Sequence, residues 1–158
     1  ITGLLFLTGG LAGCNREPAD MKIIEIVYSS DTGTILPELQ WHEEIRITAA
    51  TVIFSRNGKT QDSQVNKGSW RIPADAAEIQ RLLTDLQTVD CSKIKRVELP
   101  EAPDGAGTRS YTLNYDSGKT CLLYFDGGNT YEQAEKIVAP LDEFIGNLNF
   151  PDEAKRRY

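Results

Sequence analysis

Residues 109–125 read RSYTLNYDSGKTCLLYF, two runs rich in Tyr, Thr, Leu and Phe on either side of a turn sequence. Each run has the length of an ordinary strand, and Asp, Ser and Gly are typical of tight turns. The stretch therefore predicts an antiparallel hairpin with strands at 109–115 and 120–125 and a turn at 116–119.

The register of this hairpin decides which of its faces is buried. Counting outward from a four-residue turn pairs Leu113 with Leu122 and Tyr111 with Tyr124 on one face. Thr112 with Leu123 and Ser110 with Phe125 then form the other face, and Cys121 lies opposite Asn114. We expect the face of Leu113, Leu122, Tyr111 and Tyr124 to be the core face.

Two further strand regions precede this hairpin. Residues 22–29 are rich in Ile, Val and Tyr, and residues 45–55 in Ile, Thr, Val and Phe, as in strands. Asn57-Gly58 follows the second region and favours a two-residue type I′ turn. We therefore expect a return strand over 60–72, with Phe54 opposite Gln61 and the polar 61–67 stretch at an edge of the sheet.

Two amphipathic helices are predicted. Asp75 and Glu78 form a capping-box pattern, and a helix ending near Asp90 follows, with its apolar face at Ile79, Leu82, Leu83 and Leu86. Thr130 and Gln133 offer a second capping box. The apolar residues from 134 to 148 keep helical spacing through Pro140, where we expect a kink or a restart.

The order strand, hairpin, helix, hairpin, helix predicts an α+β fold. Hairpins imply an antiparallel sheet, and the two helices cover one of its faces in a single two-layer domain. We place this domain at 22–150. The terminal 151–158, with its basic residues Lys155, Arg156 and Arg157, is predicted to be a flexible, solvated tail.

The first residues of the chain indicate an export signal. Residues 1–10 carry no charge, and their apolar core at 4–7 is much shorter than the roughly 20 residues of a membrane-spanning helix. Leu11, Ala12, Gly13 and Cys14 follow: an aliphatic residue, two small residues and a cysteine. This tetrad resembles the lipobox of bacterial lipoproteins.

The resemblance implies a processing route and a location. Cys14 would receive a diacylglyceryl group, residues 1–13 would be removed as a signal peptide whose basic n-region precedes Ile1, and the new amine would often be acylated as well. Residues 14–21 would then form a short tether. The expected location is the cell envelope, outside the cytoplasm, with the protein held on the membrane by lipid; the alternative is an apolar N-terminal element with a structural cysteine.

Charge and cysteine content narrow the function classes. Removing 13 of the 158 residues leaves 145, which is one domain in size, and the net charge of −6 disfavours nucleic acid as a partner. The remaining cysteines, Cys91 and Cys121, form an even pair in an oxidising compartment. We predict that they form a disulfide; two buried free thiols are the alternative.

No residue pattern predicts catalysis, a metal site or a cofactor. His42 is the only histidine, so a zinc cluster of histidines is excluded, and a catalytic triad would need His42 as its base. Asp-Gly sequences lack the ligand spacing of calcium loops and are ordinary turns. We expect neither a metal nor a cofactor.

One loop stands out as a recognition element. Residues 99–107 contain Leu99, Pro100, Glu101, Pro103, Asp104 and Gly105, and a loop on a rigid scaffold commonly carries binding; a plain connector is the alternative. The leading hypothesis is a non-enzymatic envelope lipoprotein that binds a protein or envelope component. The rivals are a hydrolase using carboxylates with His42 and an inhibitor-like module presenting this loop.

Overall fold

The computed structural model describes residues 21–156, and within them it has an α+β fold with a mainly antiparallel arrangement of strands, as predicted. The lipobox, including Cys14, and the tether up to residue 20 lie outside the described residues. Met21, predicted to end the tether, is half-buried and packs against the core.

Eight strands and two helices make up the described fold. The strands are β1 (Ile23–Asp31), β2 (Trp41–Ile47), β3 (Val52–Gly58), β4 (Gly68–Ile72), β5 (Lys95–Glu98), β6 (Thr108–Tyr115), β7 (Thr120–Phe125) and β8 (Asn129–Glu132), and the helices are α1 (Ala76–Gln87) and α2 (Glu135–Gly146). Six strands form an antiparallel sheet in the order β4-β3-β2-β1-β6-β7, and β5 pairs with β8 in a small second sheet.

One face of the large sheet forms the core together with the helices. Its inward side chains lie in rows across the strands, and the central row is Ile72, Val52, Ile47, Ile26, Leu113 and Cys121. All six are 2% exposed or less. The helices contribute buried side chains to this core: Ile79, Leu82, Leu83 and Leu86 from α1, and Ile137, Leu141 and Phe144 from α2.

The predicted 45–55 strand is in fact the end of one strand and most of another. A tight turn at 48–51 separates β2 from β3, because the Thr48 hydroxyl accepts hydrogen bonds from the backbone N–H groups of Ala50 and Thr51. Asn57-Gly58 is consequently not a hairpin turn but the end of β3, opposite His42 and Trp41. Phe54 lies opposite Trp70, not Gln61.

The register predicted for the β6–β7 hairpin is wrong by one residue. Leu113 pairs with Cys121 and Tyr111 with Leu123, because Lys119 joins the ladder by accepting a hydrogen bond from the Tyr115 N–H. The turn is thus three residues long, with Gly118 at φ 78°, as such turns require. Leu122 and Tyr124 are therefore 55% and 42% exposed on the outer face.

The two helices differ in how well their starts were predicted. Asp75 caps α1, accepting hydrogen bonds from the N–H groups of Ala77 and Glu78. The capping box at Thr130 and Gln133 is wrong, since 129–132 pair with β5 and α2 begins at Glu135. Pro140 lies inside α2, which continues through it.

Cys91 and Cys121 are joined by a disulfide, with their Cα atoms 5.9 Å apart. Cys121 is 1% exposed in the core row, and Cys91 follows α1. The bridge therefore ties the end of the first helix to β7, an edge strand of the sheet.

Candidate functional site

The sheet has two distinct ends. At the first, Lys22 and Asp116 hold the start of β1 against the β6–β7 turn through two hydrogen bonds, of 3.1 and 2.8 Å; we call it the proximal end, since β1 begins there. At the other end β1 finishes at Asp31, beside His42 and Thr108. We call this the distal end.

A cleft of about 970 Å³ opens on the helix-covered face at the distal end. Its floor is the end of the sheet, and its wall is the segment 145–156, which contains the end of α2 and the chain that follows. The volume lies at the upper end of the range typical of ligand sites in proteins. We call it the distal cleft.

A row of polar side chains crosses the floor of the distal cleft. Arg56, Glu43, Ser30 and Arg109 are consecutive cross-strand neighbours on β3, β2, β1 and β6. The next row toward the core is apolar: Phe54, Ile45, Tyr28 and Tyr111. The cleft therefore joins an apolar surface to a row of charged and hydroxyl groups.

Glu43 is the centre of a buried ion cluster. Its carboxylate accepts a hydrogen bond of 2.7 Å from Arg56 Nε and two of 3.0 Å from Arg156. Arg56 is 3% exposed and Glu43 9%. Because a buried charge is tolerated only when it is paired and hydrogen-bonded, the buried Arg56 and Glu43 depend on each other, while Arg156 covers the pair from the exposed side.

The same cluster holds the chain that follows α2. Arg56 Nη2 donates to the Ala154 carbonyl at 2.9 Å, and Asn66 Nδ2 donates to the carbonyls of Glu153 and Lys155. Arg156 lies 4.0 Å above the ring of Trp41. Residues 151–156, predicted to belong to a flexible tail, are thus docked as part of the cleft wall, with Ala154 buried.

Two polar groups of the row have no partner within the described chain. Ser30 is 8% exposed as a residue, and its solvent-accessible hydroxyl makes no hydrogen bond to residues 21–156. Arg109, its cross-strand neighbour, is exposed and forms no ion pair with any carboxylate of those residues. Both line the cleft, so they are available to a ligand.

These polar positions were not predicted, although the sequence carries a signal for them. Glu43 is in phase with the buried Ile45 and Ile47, and Arg56 with the buried Phe54 and Val52, in strands whose side chains alternate between faces. A charged residue at an inward position is rare unless it is paired or functional.

His42 lies on the opposite face of the sheet from this row. Its Nδ1 is 3.2 Å from Asp31 Oδ1, and Thr108 Oγ1 donates to Asp31 Oδ2. The aspartate is therefore between the histidine and the hydroxyl, whereas a catalytic triad needs the histidine in the middle. Within residues 21–156, no three His, Cys, Asp or Glu side chains are grouped closely enough to hold a metal ion.

The loop 99–107, predicted as a recognition element, lies beside the cleft at the distal end. Gly105 O accepts a hydrogen bond from the Thr34 N–H at 3.0 Å, and a Cβ at Gly33 would collide with that carbonyl oxygen. Leu99, Glu101, Pro103 and Asp104 are exposed. The loop therefore has a packed base, and Gly107 at its end lines the cleft.

Tyr111 connects the floor of the cleft to α2. It is completely buried, and its hydroxyl donates to Asp142 Oδ1 at 2.8 Å. Burial first, and then the hydrogen bond to Asp142, raise the pKa of Tyr111 well above its usual range. The neutral phenol is therefore the form that the fold requires.

The raised pKa of Tyr111 predicts a loss of stability in alkali. Above about pH 10 the unfolded chain releases the phenolic proton while the folded chain retains it, so the free energy of unfolding falls as pH rises. We expect Tyr111→Phe to lower stability by about 1 to 2 kcal/mol at pH 8, through the lost hydrogen bond, and to make the decline between pH 8 and 11 shallower.

Urea unfolding at both pH values measures this decline. Tyr115, whose pKa is raised by burial and by Asp90, leaves a residual decline in the variant. Tyr124→Phe is the matched control, because Tyr124 is 42% exposed in the fold. Equal declines of the free energy of unfolding in wild type and Tyr111→Phe would show that the fold does not oppose ionisation of Tyr111.

A scan against models of known protein families matched none, and a search of curated proteins found no significant relative. None of the helices within residues 21–156 is both long and apolar enough to cross a membrane.

Proposed function

We propose that this chain is a bacterial envelope lipoprotein, anchored through Cys14, whose domain binds a partner and catalyses no reaction. The distal cleft is the binding site. The observation that carries the proposal is the position of this cleft, which joins an apolar surface to two polar groups without a partner in residues 21–156, at the end of the sheet opposite to the start of β1.

The length of β1 separates the anchor from the cleft. Its 9 residues extend about 30 Å at the usual rise of a strand, from the proximal end to Ser30 and Asp31 at the cleft. A domain tethered through residues 14–20 would therefore present the cleft away from the bilayer surface. The loop 99–107 lies at the same end and would extend the binding surface.

The disulfide supports the envelope location. Disulfides form and persist in exported proteins and are rare in the reducing cytosol. The Cys91–Cys121 bridge joins two elements far apart in the sequence, which suits a domain that folds in an oxidising compartment.

Replacing the lipidated cysteine tests the anchor. Two or three acyl chains hold a protein stably on a membrane, whereas a protein without acyl chains could contact the membrane only through its polypeptide surface. Cys14→Ala is therefore expected to move the protein from the membrane fraction to the soluble fraction, while the control Asn15→Ala stays in the membrane fraction. Membrane retention of Cys14→Ala would contradict the proposed anchor.

Photo-crosslinking in intact cells tests the binding site. A photoreactive residue at Lys155, on the rim of the cleft, is expected to give an adduct of discrete mass. The same photoreactive residue at Ser117, exposed at the proximal end, is the control and is expected to give none. Equal labelling at both positions, or none at Lys155, would contradict a binding site in the cleft.

A further inference from the structure

The polar end of the cleft has the composition of an anion site. The charged groups around Arg109 are already paired: Arg56 and Arg156 share Glu43, Lys155 pairs with Asp152, and Asp31 contacts both His42 and Lys59. Arg109 is the cleft cation that has no carboxylate partner within residues 21–156. An incoming anion would therefore meet an uncompensated guanidinium.

Ser30 adds a second donor beside this cation. It is the direct cross-strand neighbour of Arg109, the residue is 8% exposed, and its hydroxyl reaches the solvent of the cleft without a hydrogen bond inside the described chain. A guanidinium presents a planar fork of N–H donors that matches the two oxygens of a carboxylate, and a hydroxyl can donate to either oxygen. The pair therefore fits one carboxylate.

Beside the polar row, the cleft has an apolar surface. Half-buried Tyr28, Ile145, Leu148 and Phe150 line it, and the ring of Phe150 packs edge-on against Phe54 at 5.2 Å. From Arg109 on β6 to Phe54 on β3 there are three strand spacings, about 14 Å in all. That distance matches the length of a medium-chain alkyl group laid across the floor.

We propose that the distal cleft binds a single-chain amphiphile that carries one carboxylate, of the fatty-acid class. The carboxylate sits on Arg109 and Ser30, and the alkyl chain lies along Tyr28 toward Phe150. This assignment rests on the proposed function, in which the cleft is the binding site. It adds the charge, the length and the orientation of the ligand.

Titration of the purified domain with octanoate, decanoate and dodecanoate tests the assignment. Affinity is expected to rise about fourfold for each methylene that the cleft buries. Decanol and decylammonium, which have the same chain and no negative charge, are expected to bind at least tenfold more weakly than decanoate. Equal binding of decanoate and decanol would overturn the carboxylate site.

Variants of Arg109 and Arg81 distinguish binding of the carboxylate at Arg109 from a nonspecific attraction to positive charge on the protein. Arg109→Gln is expected to weaken decanoate binding at least tenfold, and Arg109→Lys, which keeps the charge without the fork, to weaken it less. Arg81→Gln, which removes an exposed cation on α1, is the matched control and is expected to leave affinity unchanged. If both glutamine variants bind as wild type does, Arg109 does not hold the head group.

The outcomes distinguish this inference from the proposed function. A discrete adduct at Lys155 in cells, with no fatty-acid binding in vitro, would overturn the ligand class and leave the binding site in place. Fatty-acid binding without any cellular adduct would contradict the proposed function. Binding to vesicles of anionic phospholipid with the same dependence on Arg109, but not to monomeric decanoate, would replace the amphiphile with a membrane surface and overturn the inference.

Discussion

Glu43→Ala is expected to lower the free energy of unfolding by about 3 to 5 kcal/mol. The substitution leaves the Arg56 guanidinium, 3% exposed, without its carboxylate. Arg56 would keep its hydrogen bonds to Asn66 and to the Ala154 carbonyl, but these neutral acceptors do not balance a buried charge. A loss of this size is a large part of the stability of an ordinary domain.

Glu44→Ala is the matched control for this prediction. Glu44 is the next residue along β2, and its partner Arg46 is on the outer face with a side chain 48% exposed. An exposed pair is worth about 0 to 1 kcal/mol, so the control is expected to lose little stability. Chemical denaturation of both variants gives the comparison, and equal losses would show that Glu43 is not an essential buried charge.

A double variant tests the physical reason for the loss. Glu43→Leu with Arg56→Met removes both charges and keeps apolar volume, and such replacements of buried pairs are often neutral or stabilising. We expect it to recover much of the stability lost in Glu43→Ala. It would also free the 151–156 segment from Arg56, so faster proteolysis near residue 156 is expected even where stability is recovered.

Removing the disulfide is expected to have the second largest effect. The bridge closes a loop between residues 30 positions apart, and the chain-entropy model assigns about 3 to 4 kcal/mol to such a loop. Cys91→Ala with Cys121→Ala should therefore lower the free energy of unfolding by that amount. Part of the loss also reflects the small space left where the Cys121 sulfur was packed.

Reduction of the wild-type protein provides the control for this double variant. Reduced wild type should lose a similar amount of stability, since it loses the same covalent constraint without any change of sequence. Mass spectrometry after thiol labelling, without reduction, is expected to find no free thiol at Cys91 or Cys121. Equal stability of oxidised and reduced protein would show that the loop constraint contributes nothing.

The elements predicted well are those whose signals are local. The cap at Asp75 and the apolar face of α1 depend on residues within four positions of one another, so the sequence was sufficient to find them. The fold class followed in the same way from hairpins and helical spacing. The Cys91–Cys121 pairing followed from the small number of cysteines.

The errors share a different cause. The register of the β6–β7 hairpin depended on whether Lys119 belongs to the turn or to the ladder, and one residue exchanges the two faces of a strand. β5 and β8 were missed because each has four residues, and every residue of β5 is exposed. Their pairing is a long-range contact that a local pattern does not report.

Local sequence patterns are sufficient for the α+β architecture, the N-terminal cap of α1 and the resemblance of residues 11–14 to a lipobox. The distal cleft, in contrast, forms only when the chain is folded. Its row of Arg56, Glu43, Ser30 and Arg109 brings together four strands, and Arg156 reaches Glu43 from 113 positions away. Such neighbours exist only once the sheet has set its strand order and register, because pairing between strands is a contact between distant parts of the chain.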